Sequence, residues 1–214
     1  MNQPGLFITF EGGEGAGKST VLQAVAEQLQ QKGHCVDTTR EPGGVALAEK
    51  IRYYLLDDQT IEVEARTEAL LFAAARRQHL IERILPGLKD GKIVLCDRFV
   101  DSSIAYQGAA RGIGVEEVRQ INDFAIQGRM PDITLLFDLP VEVGQARIHG
   151  NARETNRLDD EKVDFHLTVR KAYLELASQN NERYRIINAE APIRSVIEEV
   201  TQVIEDFIVN KNRD

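Results

Sequence analysis

Tryptophan is absent from the 214 residues, and cysteine occurs only twice, as Cys35 and Cys96. Two cysteines give neither a disulfide framework nor the repeated spacing of a structural metal site. Cys96 lies in the apolar run KIVLCD and reads as a small core residue in a reducing compartment. An excess of positive charge is missing too. The formal net charge is -8, which excludes nucleic acid or an anionic membrane as the default partner. Small phosphate ligands stay open, because they answer to local charge. No apolar run is long enough to cross a bilayer. The opening MNQPGLFITF has neither the charged start nor the apolar stretch of a signal peptide, so a cytoplasmic protein is expected. Repeats and low-complexity linkers are also lacking. What remains is an ordinary globular mixture, 43% hydrophobic and 28% charged, with a length that suits one domain over 1–214 and a real core.

Short apolar runs alternate with longer helical patterns. LFITFEG reads as a buried strand, followed by a helix from Lys18 to about Lys32, where Val21, Leu22, Val25 and Leu29 fall at helical spacing and Gly33 caps the end. HCVDTT, KIVLCD, ITLLFDL and YRIINA read as four further strands. Helices are expected from Val45 to Leu56, from Val63 to Leu85 with Pro86 and Gly91 as breakers, and from about Ile193 to Ile208. Near-continuous apolar strands alternating with helices imply a parallel sheet covered on both faces, an α/β fold. The polar stretch HGNARETNRLDDEK reads as a mobile loop or lid, about 147–161, rather than a domain boundary.

The segment Gly12-Gly13-Glu14-Gly15-Ala16-Gly17-Lys18-Ser19-Thr20 carries the phosphate-loop pattern G-x-x-x-x-G-K-S between a strand and a helix, the context the motif needs. Missing Cβ atoms let backbone N–H groups face phosphate oxygens, and the following helix adds unpaired amides and its positive dipole end. Lys18 is expected to bridge the outer phosphates and Ser19 to ligate Mg²⁺, so a nucleotide polyphosphate is the anion. A switch GTPase would carry Asn-Lys-x-Asp, whereas Asn210-Lys211 continues as Asn212-Arg213. Several arginines instead fall in loops after strands, where planar guanidinium groups suit phosphate oxygens: Arg40, Arg52, Arg76, Arg98, Arg111, Arg153 and Arg157.

Two further motifs, TREPGG (Thr39 to Gly44) and LCDRFVDSSIAYQ (Leu95 to Gln107), follow strands two and three. Together with FEGGEGAGKST they resemble the thymidylate kinase family, along essentially the whole chain. The resemblance implies a P-loop five-stranded parallel sheet in the order 2-3-1-4-5, phosphoryl transfer from ATP to dTMP with Mg²⁺, and a homodimer. Asp97 ends a strand where a carboxylate can reach Mg²⁺ directly or through water. Matched to the family, Arg98 and Arg52 hold the acceptor phosphate, and Glu14 lies near the sugar 3′-hydroxyl and the metal. Glu41 has two readings, a ligand of Mg²⁺ or water and a partner of Arg40. Phe72 and Arg76, four residues apart on one helix face, match the residues that stack on thymine and donate to its O4. Gln107 faces the base N3 edge, Tyr106 lies against the deoxyribose, and Ser102 and Ser103 belong to the same acceptor site. Because the loop holds no arginine between Gly12 and Gly17, the resemblance points to the bacterial-like branch. There Arg153 and Arg157 of the lid would supply the catalytic cation. Asn156-Arg157 departs from the expected Asp-Arg. Asp138, ahead of Pro140, is read as a structural helix start.

Overall fold

The computed structural model describes residues 5–58, 60–150, 157–158 and 161–211. Five strands form one parallel sheet: β1 (Leu6–Gly12), β2 (Val36–Arg40), β3 (Ile93–Asp97), β4 (Ile133–Asp138) and β5 (Tyr184–Asn188). Their order is β2-β3-β1-β4-β5, as the resemblance implied. In register, Phe10 lies beside Asp97 of β3, and Arg40 of β2 beside the same Asp97. The carboxyl ends of the central strands therefore share one edge, the edge on which open α/β sheets bind ligands.

Strand alternation sorts the core into two layers. Leu6, Ile8 and Phe10 of β1 face α1 (Lys18–Gln31) and α9 (Ile193–Lys211), packing with Val21, Val25, Leu29, Val196, Val200 and Ile204. Phe7 points to the opposite face, where it meets Phe99 and the layer containing α3 (Ala65–His79), α6 (Val115–Ile126) and α8 (Val163–Gln179). The period of two in a strand makes this division. Along the second face of β1 the residues run Phe7, Thr9, Glu11, so polarity rises toward the carboxyl edge. Thr9 bonds Thr134 at 3.0 Å within the sheet.

Two expected helices differ from the periodic reading. The first is α2 (Ala46–Arg52) continued by a π-helical turn, Tyr53–Asp57, in which Asp58 N–H donates to the Tyr53 carbonyl. The second runs through α3 and a π turn at Leu80–Ile84 into α4 (Leu85–Lys89), so Pro86 does not break it. Pro86 occupies the first turn after the π segment, the early position at which a helix best tolerates proline. A third π segment, Ile104–Ala110, follows the short α5 (Val100–Ser103). Helix α7 (Val141–Gly150) follows β4. Among the described residues no helix is long and apolar enough to cross a membrane.

Candidate active site

A cleft of about 750 Å³ opens along the carboxyl edge of the sheet. Glu14 to Thr20 line one part, Arg147, Ala189, Ala191 and Ile193 lie beside them, and Phe72, Arg76, Ser103, Tyr106 and Gln107 line another part. Asp97, Arg98, Arg52, Glu41 and Ser102 also border it. The expected loop residues Gly12 and Gly13 are the exception. They back the loop against a separate cavity of about 20 Å³, beside His166.

The loop's shape requires its glycines. Gly15 has φ +73°, and a Cβ there would lie 2.3 Å from the Gly144 carbonyl oxygen of α7. A Cβ on Gly144 would in turn meet the Glu14 carbonyl at 2.5 Å. Lys18 is buried and donates to the Gly13 carbonyl at 2.9 Å. Burial, helped by Arg98, pushes its ammonium below the usual lysine range, against Glu14, Asp97 and Glu11. An incoming polyphosphate would oppose that shift. Ser19 Oγ donates to Asp97 Oδ2 at 2.5 Å, while Asp97 Oδ1 is buried with no partner among the described residues. Two hard oxygen donors with an open carboxylate valence fit Mg²⁺. Among the described residues no three His, Cys, Asp or Glu groups converge on a metal position. Phosphate oxygens and water would have to complete the shell, as this ion commonly requires.

Arg98 stands between the two parts of the cleft. Its backbone has φ +72°, a left-handed conformation that costs a non-glycine residue of order 1–3 kcal/mol. The surroundings hold it there: its N–H donates to the Phe10 carbonyl, and its guanidinium donates to the Gly12 carbonyl, Ser102, Tyr173 and Glu14. The Glu14 contact is 2.6 Å. Burial works against the Arg98 charge, but Glu14, Tyr106, Tyr173 and Asp97 outweigh it and raise its pKa further. Tyr106 also donates to Glu14, at 2.9 Å. Arg52 is half-buried, and burial followed by repulsion from Arg40 lowers its pKa, with Arg98 adding to the effect. An anion between Arg52 and Arg98 would relieve it.

The acceptor part is more heavily cross-linked than the sequence suggested. Arg76 donates to Glu41 at 2.7 Å, to Ser103 at 2.9 Å, to the Phe99 carbonyl at 2.9 Å and to Asn122. Four of its five N–H donors are thus engaged, and one Nη2 hydrogen is left for a ligand among the described residues. Glu41 pairs with Arg76 and His79, not with Arg40, whose carboxylate partner is Glu49. The buried Arg76 supplies a better-shielded partner than the half-exposed Arg40 can. Ser102, on the border of the cleft, donates to Glu11. Gln107 donates to Glu68 at 2.9 Å. Arg157, read as a lid cation, lies beside Glu68. Its guanidinium bonds the Leu55 carbonyl at 3.1 Å and Glu68, because this buried carboxylate offers it a partner. Arg153 lies outside the described residues. Asp138 closes β4 as a structural residue, bonded to Arg170 at 2.7 and 3.0 Å.

Sequence reasoning missed Glu11, Glu68, Asn122, Arg147 and Tyr173. Glu11 is fully buried, accepting from Phe99 N–H, Ser102 and Tyr173 at 2.7 to 2.8 Å. Burial, followed by the nearby Asp101, pushes its pKa up to about 7. A lone carboxylate inside the apolar run LFITFEG was the available signal. Glu68, Asn122 and Tyr173 sit in ordinary helical patterns and gave none.

This geometry has known counterparts. The family profile described as thymidylate kinase matches residues 10–200. A thymidylate kinase of Bacillus pumilus is 54% identical over 205 residues, covering 95% of this chain and 97% of that protein. Another, of Oceanobacillus iheyensis, is 51% identical over 210 residues, covering 98% of this chain and 93% of that protein. The crystal structure of thymidylate kinase from Ehrlichia chaffeensis superposes with a TM-score of 0.76 at 35% identity, covering 94% of this chain and 99% of the other. With its phosphate loop, its arginine-bridged cleft and these relatives, the chain belongs to the thymidylate kinase family.

Proposed function

We propose that the chain transfers the terminal phosphoryl group of ATP to dTMP, giving dTDP and ADP, in the cytoplasm and as a homodimer. The observation that carries the reading is Arg98, bonded to Glu14 of the phosphate loop and bordering the same cleft as Phe72, Arg76 and Gln107. A cation there can hold the acceptor phosphate against the donor. Arg52 is its partner on that phosphate. The loop amides and Lys18 bind the donor phosphates, and the bound Mg²⁺, held through Asp97 and Ser19, would neutralise charge on them. Phe72 stacks on the thymine ring, the remaining Arg76 donor meets O4, Gln107 meets N3–H, and Tyr106 packs against the deoxyribose. Arg153 or Arg157 supplies the lid cation, and Arg157 would have to leave Glu68 to do so. Exposed Leu70 of α3 and Phe124 of α6, on helices that pack together, support an apolar dimer face.

The test supplies ATP, Mg²⁺ and one monophosphate at a time and follows ADP. dTMP should be the best acceptor. Loss of one methyl contact is worth about 1–3 kcal/mol, so dUMP should be poorer but real. Cytosine would present an amino donor to the Arg76 donor, a mismatch worth on the order of 10⁴-fold, leaving dCMP nearly inert. Equal efficiency on dCMP and dTMP rejects the reading. Lys18→Ala should stay folded and lose about a hundredfold to a thousandfold in kcat; a folded variant with normal turnover would reject the donor-site role.

A further inference from the structure

Gln107 is almost completely buried at the cleft wall, in the π segment that follows α5. A glutamine amide has two chemically opposite ends, an accepting oxygen and a donating NH₂, on one carbon. Which end meets a ligand decides which base is accepted, and nothing in Gln107 itself makes that choice. The choice is made behind it. Gln107 Nε2 donates to Glu68 Oε1 at 2.9 Å, and Glu68 is buried on α3, outside the cleft lining. A carboxylate cannot pair with the amide oxygen, because both would offer lone pairs. Glu68's other partners are Arg111 at 3.5 Å and Arg157, guanidinium groups that only donate. Every partner therefore treats Glu68 as an acceptor. Among the described residues Gln107 Oε1 has no hydrogen-bond partner, and it is not a buried orphan.

We propose that Glu68 is a specificity-determining positioning residue: it holds the Gln107 NH₂ and turns the amide oxygen to the acceptor base, which must then bring a ring N–H. Thymine and uracil carry one at N3. Cytosine has a lone pair there, which would face the Gln107 oxygen lone pair to lone pair. This deepens the proposed function and rests on its placement of the base against Gln107. It also separates two sources of discrimination against cytosine, one at Arg76 and one set by Glu68.

The test measures kcat/KM for dTMP and dCMP in the wild type, Glu68→Gln, Gln107→Leu and the double variant. A glutamine at 68 can pair with Gln107 in either sense, so the amide becomes free to turn its NH₂ to cytosine N3. The dTMP/dCMP ratio should fall by roughly tenfold or more in Glu68→Gln. Part of the fall should be a gain on dCMP, which a merely damaged fold would not produce. In the Gln107→Leu background the same change should leave the ratio within about twofold, since Glu68 then has no amide to orient. If Gln107→Leu alters the ratio and Glu68→Gln does not, the positioning role is overturned while the base pocket stands. If neither alters it, the placement of the base falls and the inference with it. An effect of Glu68→Gln that persists without Gln107 also overturns the role. Should Glu68→Gln fail to fold, Glu68→Asp tests the same idea. Its carboxylate is one methylene short of the 2.9 Å contact with Gln107 Nε2, so the dTMP/dCMP ratio should fall there too, and a wild-type ratio in a folded Glu68→Asp would overturn the proposal.

Discussion

On the α1 and α9 side of the sheet, the buried side chains are almost all hydrocarbon: Val25, Leu29, Val200 and Ile204, with the Thr201–Gln28 bond as a polar inclusion. On the α3, α6 and α8 side, Glu11, Glu41, Glu68, Arg76, His79 and Asn122 are buried among Phe7, Phe99 and Tyr173. The same strands serve both faces. One face is held by area removed from water, which is non-directional and tolerant of shape. The other also buries an apolar cluster but adds directional bonds between charges, which fix side-chain positions but leave a costly remainder if one partner is lost. The acceptor residues are on the second face, where position matters most.

The largest expected difference between the faces comes from paired truncations. Arg76→Ala strands the Glu41 carboxylate and the Asn122 and Ser103 acceptors, and removing one partner of a buried ion pair costs about 3–5 kcal/mol. It should also narrow the gap between dTMP and dCMP. Leu29→Ala on the apolar face should cost about 3 kcal/mol by cavity formation and leave acceptor selectivity alone. Urea unfolding together with the two-acceptor assay checks both. Selectivity moved by Leu29→Ala, or unmoved by Arg76→Ala, would erase the division of labour.

A pH series sharpens the contrast. Glu11 keeps its proton up to about 7 in the folded chain, against an ordinary glutamate value near 4.3 unfolded. The native state thus binds more protons between these values. The stability this group contributes is fully present below about pH 4.3 and is lost as pH rises toward 7. Glu11→Gln keeps an acceptor for Phe99 N–H and removes the titration. Across that window the wild type should therefore lose on the order of 3 kcal/mol relative to the variant. Parallel stability curves for the two proteins would refute the account. The smallest effect is expected at Lys32–Glu205, which joins the residue after α1 to α9 at 2.6 Å in partly solvated surroundings. Lys32→Ala should cost under about 1 kcal/mol, and a larger loss in thermal unfolding would show that the apolar face also depends on charge.

The same contrast explains what could be read from the chain beforehand. Strand β1 and helix α1 were legible because their apolar residues repeat at the strand and helix periods. The Phe72–Arg76 pair was legible because four residues make one helix turn. Pro86 was misread because a π turn upstream resets the hydrogen-bond ladder, and no residue type announces that. Asn122 and Glu68 gave no signal, since their partners Arg76 and Gln107 are distant in sequence. Such pairs exist only after the helices pack.

The contact of Gly15 with Gly144 has a mechanical meaning. Where two chains touch through side chains, rotamers act as springs and absorb small displacements. Here main chain bears directly on main chain, like a shaft in a plain bearing. A shift of α7 would reach the phosphate loop undamped. The nucleotide loop is therefore specified partly from outside its own motif, by a glycine that no search for the motif would weigh.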